Sequence, residues 1–418
     1  SSDVCSSDLM RGLAGSGKTI LLVKKMAYLH YHYPELDMVY VFYTISLKQF
    51  VERLFIESYR EFEKYKEPNF DKIKFLYSWG GKRNIGFYSN ICKIIEEVPK
   101  TLGDVIAETD KFGYVCQEIL MKIKDKKLEL YDYIYIDEAQ DFPLQFFKLA
   151  LSTLKPTGKL MYAYDELQSL NNVDSSMPTK NQIFGEMHCE SIDLKKCYRA
   201  PMEILVTAHA FGLGIYKKRA ANEPDTVNMI QDPEVWKAIG YNVENGSLAY
   251  GEYVELAREE EIKYKFDDII SIKEFESQKL QYEEVSREII KLIQKEDIIP
   301  EDILIIDLDT INLNDNFYIF RDIFYQEQEN IMEGKWISQV NLVNKENAIN
   351  FRIKNSFPYT TIFRAKGNEA NIVFILNANT MQSLSMFSRN RLFTAITRTR
   401  FKAYIYGTKG VDVFANEY

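Results

Sequence analysis

Residues 12–19 read GLAGSGKT, a match at every defined position to the phosphate-binding loop G-x-x-x-x-G-K-[ST]. Gly12, Gly15 and Gly17 allow backbone N–H groups to turn inward around phosphate oxygens. With Ser16 they form a cradle, and a helix that starts just after it presents its positive end to the same anion. In such a loop Lys18 neutralises the β- and γ-phosphates and Thr19 holds Mg²⁺. The chemistry implied is the binding of a nucleoside triphosphate with its magnesium ion.

A phosphate loop defines binding without defining the reaction, and a second acidic segment supplies the next step. Asp137-Glu138-Ala139-Gln140-Asp141 follows the apolar run YIYI. A strand ending there sets Asp137 at the carboxyl edge of a sheet, facing the loop. Asp137 then suits contact with Mg²⁺, directly or through water, and Glu138 suits the general base that orients an attacking water.

Alternating elements are needed to hold these groups. After the loop, ILLVKKMAYLHYHY has helical spacing up to Pro34. MVYVFYT, YIYID and KLMYAYD read as strands, with helical stretches between them, and SIDLKKCYRAP reads as a strand running into a turn. This βα alternation predicts a doubly wound parallel sheet with ligands at the carboxyl ends of its strands. The pattern weakens across residues 216–262, where NEPDT, QDPE and VENGS form turn clusters. A second α/β pattern then runs to the end through IISIKEF, ILIIDL, ANIVFIL, RNRLFTAITRTR and AYIYG. The expected division is 10–215, a connecting region 216–262, and 263–418.

Composition narrows the classes. No run of 18 uninterrupted apolar residues occurs, which argues against a membrane span. Five cysteines form no CxxC pair and only four histidines are present, so neither a zinc site nor a disulfide framework is indicated; reduced thiols of a cytoplasmic protein are expected. A net charge of −9 argues against a surface that coats nucleic acid throughout and leaves room for a local basic groove. Residues 1–9, SSDVCSSDL, have neither the basic start nor the apolar core of a signal peptide and resemble a translated sequencing adaptor. Setting them aside leaves no full strand before Gly12. A fragment is therefore expected, with a central slot of the first sheet empty or very short.

GLAGSGKT together with DEAQD resembles the UvrD and Rep branch of the superfamily 1 helicases, and the remaining motifs of that family follow in order across nearly the whole chain. Tyr164-Asp165 with Gln168 is similar to the segment whose glutamine senses the γ-phosphate. Tyr198-Arg199 resembles the pair that stacks on the base and reaches the γ-phosphate. TIFRAKGNEA, Thr361 to Ala370, is similar to the segment with a ribose contact, here Glu369, and a threonine on nucleic-acid phosphate. FTAITRTR resembles the last motif, with Arg398 matching its arginine finger.

The resemblance implies two RecA-like domains with parallel sheets, an ATP site in the cleft between them, and ATP with Mg²⁺ as cofactors. It implies an ATP-hydrolysing translocase or helicase on single-stranded DNA or RNA, with Phe42, Thr44, Trp79 and Thr361 as candidate contacts. Asn171 and Val173 depart from the family, which has aromatic residues there, and the stretch from Arg199 to Thr361 is too short for a large accessory insertion. A second reading is an ATP-driven switch or remodeller of a protein or nucleoprotein partner. A small-molecule kinase is a third, and it would not need a second α/β domain with its own arginine motifs.

Overall fold

In a buried parallel sheet both faces of each strand are covered, so strands read as continuous apolar runs whose alternate residues serve two cores. MVYVF does so: Met38, Tyr40 and Phe42 join one cluster while Val39 and Val41 join the other. The computed structural model describes residues 7–12, 15–81, 84–124, 126–165, 178–185, 189–194, 200–216, 226–228, 237, 241, 247–249, 264–332, 337–381 and 386–411. The chain divides into two units, Ser1–Lys195 and Lys196–Tyr418.

The first unit runs β1 (Ser7–Gly12), α1 (Lys18–His32), β2 (Met38–Phe42), α2 (Lys48–Phe62), β3 (Ile73–Tyr77), α3 (Phe87–Ile94), α4 (Lys111–Ile123), β4 (Tyr131–Ile136), α5 (Leu144–Ser152), β5 (Leu154–Tyr164), α6 (Lys180–Phe184) and β6 (Cys189–Leu194). Its sheet has the order β3-β2-β4-β5-β1-β6, with every pairing parallel. Leu22, Met26, Val51 and Phe55 of α1 and α2 cover one face; Ile91, Ile119, Phe146 and Phe147 of α3, α4 and α5 cover the other.

The central slot is filled, contrary to the sequence expectation. Leu9 of β1 lies level with Tyr162 of β5 and Ser191 of β6. Ladder pairing uses backbone groups, so the polar composition of Ser7-Asp8 does not prevent it. What the slot requires is one apolar side chain for each face, and Leu9 and Met10 supply them, one to each core. The part-buried Asp8 carboxylate is neutralised by Lys25 of α1.

The second unit runs α7 (Met202–Leu213), β7 (Thr226–Asn228), β8 (Ser247–Ala249), α8 (Phe266–Ile269), β9 (Ile270–Glu274), α9 (Gln278–Lys295), β10 (Ile303–Asp307), α10 (Leu313–Met332), β11 (Gln339–Val343), β12 (Ser356–Thr361), α11 (Ile362–Ala365), β13 (Ala370–Leu376), α12 (Met386–Ile396) and β14 (Thr399–Gly407). Its parallel sheet has the order β11-β12-β10-β13-β14-β9, and β7 and β8 form a separate antiparallel pair. The dividing point therefore falls before α7, not at residue 215. A Cβ at Gly212 of α7 would lie 3.0 Å from the Phe393 side chain of α12. The Arg389 guanidinium of α12 donates to the Phe211 carbonyl at 2.7 Å, tying α7 to the second unit. Among the described residues no helix is long and apolar enough to cross a membrane.

His209 of α7 is buried against Phe393 and bonded through Nδ1 to the Tyr241 hydroxyl at 2.8 Å. Burial pushes its imidazole down to about 3. The unfolded chain binds a proton there near pH 6.5 and the folded chain does not, so stability is intact above that pH and falls as pH drops. At pH 5 the expected loss is about 2 kcal/mol. Urea unfolding at pH 7 and pH 5 checks this: in His209→Phe the difference between the two pH values should shrink by about that amount.

Candidate nucleotide site

The strand order makes β4, β5 and β1 neighbours, so the segments leaving their carboxyl ends converge. After β1, the loop turns into α1 through Gly17, whose φ of 89° is a left-handed conformation that glycine adopts without steric cost. Gly12 is needed for space as well: a Cβ there would lie 2.6 Å from Ser16 Oγ and 3.0 Å from Leu194 Cβ. The Lys18 ammonium is buried in the loop, donates to the Gly12 carbonyl at 2.6 Å and lies 3.6 Å from Asp165 Oδ2, just past β5. Thr19, in the first turn of α1, donates through Oγ1 to Asp137 Oδ2 at 2.7 Å.

Asp137 and Glu138 follow β4, and both are buried. Burial first, then the neighbouring Glu138, pushes the Asp137 carboxyl up to about 6. Glu138 has φ 53°, a left-handed backbone that non-glycine residues adopt at a cost of about 1 kcal/mol or more and that clusters at functional sites. Its Oε2 accepts from Gln140 Nε2 at 2.6 Å, and Gln140 Oε1 accepts from the Asp165 N–H at 3.0 Å. Glu138 is thus held by an amide that is itself anchored to the strand beside it. Sequence reasoning had named Asp137 and Glu138 but not this role for Gln140; its place two residues after the base was the available signal.

The fit to a magnesium nucleotide can be tested on these groups. Ser16 Oγ is buried and has no hydrogen-bond partner among the described residues, which leaves a donor inside the cradle. Two adjacent buried carboxylates beside one hydroxyl suit a divalent cation. Among the described residues no cluster of three or more His, Cys, Asp or Glu forms an all-protein metal site. Mg²⁺ takes one or two protein ligands with phosphates and waters, and Thr19 and Asp137, bonded to each other, are placed to be those ligands.

In the second unit Arg398 is buried, with Nε donating to the Thr394 carbonyl at 3.1 Å and Nη2 to Thr397 Oγ1 at 3.4 Å. The Glu369 carboxylate accepts from Arg400 Nε at 3.1 Å. Gln168, Tyr198 and Arg199, with Asn171 and Val173, lie outside the described residues.

The candidate nucleic-acid contacts fare differently. Phe42 is fully buried in the core beneath α1 and α2, so it offers no face to a base. Trp79 stacks on Phe112 at 5.2 Å and donates Nε1–H to the Lys100 carbonyl at 2.8 Å, which makes it a packing residue. Thr361 is buried and accepts from Arg364 at 3.4 Å, so the more exposed group at that position is the guanidinium. For Phe42 and Thr361 burial wins because each ends a strand covered on both faces, while half-buried Trp79 is held by its ring packing and its hydrogen bond. Thr44 is half-buried just before a one-turn 3₁₀ helix, Ile45–Leu47, with Oγ1 3.2 Å from Ser46 Oγ. Phe42→Ala is therefore expected to destabilise the fold by about 3–5 kcal/mol through the cavity it leaves. Urea unfolding, paired with oligonucleotide binding by the folded protein, checks this; a loss of oligonucleotide affinity at unchanged stability would return Phe42 to the binding surface.

Two parallel α/β units, the first carrying a phosphate loop and an acidic strand end, constitute a RecA-like architecture. Residues 359–406, from β12 to β14, match the family of UvrD-like helicase C-terminal domains. No curated protein matches the chain. Among solved structures it is similar to the arterivirus nonstructural protein 10 helicase in complex with DNA, with 12% identity and a TM-score of 0.35 over 98% of this chain and 63% of that one. It is also similar to the PRRSV helicase, with 11% identity and a TM-score of 0.35 over 96% of this chain and 52% of that one. The chain thus spans less than two thirds of the length of either structure.

Proposed function

We propose that the chain is an ATP-dependent translocase or helicase on single-stranded nucleic acid. The observation that carries this reading is the convergence of Lys18, Thr19, Asp137, Glu138, Gln140 and Asp165 at the ends of three adjacent strands. Lys18 and the loop N–H groups bind phosphate oxygens, and Thr19 with Asp137 holds Mg²⁺. When bound, the ion neutralises phosphate charge that would otherwise resist attack. Glu138, held by Gln140, orients a water and takes its proton. The family resemblance adds Gln168, Arg199 and Arg398 toward the γ-phosphate, Tyr198 toward the base and Glu369 toward the ribose.

Thr44, with Ser46 and Lys48 beside it, and the segment around Thr361 and Arg364 are the proposed contacts to nucleic-acid phosphates. Such contacts make affinity fall as salt rises. Titration of labelled single-stranded DNA and RNA at several salt concentrations tests this: log affinity should decline linearly with log salt. Burial of Phe42 and Thr361, with Trp79 packed on Phe112, favours one alternative, an ATP-driven switch acting on a protein partner. No measurable oligonucleotide binding at low salt would select it.

A further inference from the structure

Tyr40 lies mid-strand in β2 and is fully buried. Its ring stacks on Tyr135 of β4 at 6.3 Å with 14° between planes and packs against Phe75 of β3 at 6.3 Å, so the side chain is clamped from both neighbouring strands. The hydroxyl reaches along the strand direction and donates to Asp137 Oδ2 at 3.0 Å. That is the same oxygen to which Thr19 donates at 2.7 Å, while Oδ1 accepts the Glu138 N–H at 3.0 Å. Three donors from β2, α1 and the backbone after β4 therefore set the plane of this carboxylate.

We propose that Tyr40 is a positioning residue for the cation-binding carboxylate: delivered from inside the core, its hydroxyl orients Asp137 beside Thr19 and so sets how much Mg²⁺ nucleotide binding requires. The proposal rests on the nucleotide-site reading above. A phenylalanine would fill the same volume, and a buried hydroxyl costs free energy unless it is bonded, so the oxygen's contribution lies in the bond it makes. Losing a group that orients a metal ligand from behind typically costs about ten- to a hundredfold in metal affinity. Without the hydroxyl, Oδ2 keeps Thr19 alone, and that residue's own oxygen is the other proposed ligand. The carboxylate then has to be ordered at the moment the cation binds.

The test is Tyr40→Phe in the full chain, with a fluorescent ATP analogue titrated across a series of Mg²⁺ concentrations and in EDTA. The Mg²⁺ concentration for half-maximal binding should rise roughly tenfold, the equivalent of about 1.4 kcal/mol, while the affinity in EDTA stays within about twofold. In an Asp137→Asn background the same substitution should leave the Mg²⁺ requirement where Asp137→Asn alone puts it. An unchanged Mg²⁺ requirement in Tyr40→Phe, or equal weakening with and without the cation, would overturn the assignment and make Tyr40 a packing residue only. If the unaltered chain binds the analogue without any dependence on Mg²⁺, the nucleotide-site reading itself falls, and the role of Tyr40 with it.

Discussion

Glu138→Gln is expected to keep nucleotide affinity while hydrolysis falls by at least about a hundredfold, as removal of a positioned base should. The substitution is close to isosteric and the local geometry favours its tolerance. Gln140 Nε2, now donating to Glu138 Oε2 at 2.6 Å, can donate equally to an amide oxygen. The left-handed backbone at this residue is set by the turn after β4 and does not depend on the charge. What disappears is the capacity to take a proton from water. Fluorescent-analogue binding and steady-state phosphate release, measured on one preparation, separate the two effects. Turnover near that of the unaltered chain would remove Glu138 from the chemistry and leave DEAQD as a structural turn.

Lys18→Ala should act on the other quantity and abolish tight binding. A unit charge about 4 Å from a phosphate oxygen interacts with it by about 4 kcal/mol at the effective dielectric of a partly exposed protein site. The ammonium is already largely desolvated in the folded chain, so little of that is offset on binding, and a loss of affinity of roughly a hundredfold or more is expected. The same change removes the cation 3.6 Å from Asp165, whose side chain is fully buried, so the first unit should also lose stability. Lys18→Arg separates these effects. It keeps the charge near Asp165 but brings a planar fork into a loop shaped for a compact ammonium, so stability should recover more than binding. Equal recovery of both would mean that the loop reads charge alone.

These two residues were readable because the loop and the acidic turn constrain residue type at fixed spacing. Glycine at Gly17 answers a backbone with positive φ, and glycine at Gly12 answers the approach of Ser16 and Leu194. Tyr40 carried no such mark, because an aromatic residue in MVYVF reads as core, and only the structure shows where its oxygen points. Phe42 and Trp79 read equally as core residues or as base contacts for a related reason: beside an apolar strand without polar alternation, nothing in the sequence separates a buried ring from a presented one. The strand before the loop was discounted on its polar residues, although pairing needed only Leu9 and Met10 to be apolar. MEILVTAHAFGL is apolar around most of its circumference, which says that α7 is buried without saying against which sheet. The boundary was therefore drawn after α7, whereas it belongs before it.

The central claim is that hydrolysis is coupled to single-stranded nucleic acid, and the most direct test is steady-state ATP hydrolysis by the full chain. It should be measured with no nucleic acid and with single- and double-stranded DNA and RNA oligomers, beside Glu138→Gln as the control for contaminating activity. The account predicts several-fold stimulation by a single-stranded oligomer, declining as salt rises, and no stimulated rate in Glu138→Gln. Hydrolysis that ignores every oligomer, or a stimulated rate that survives Glu138→Gln, would contradict it.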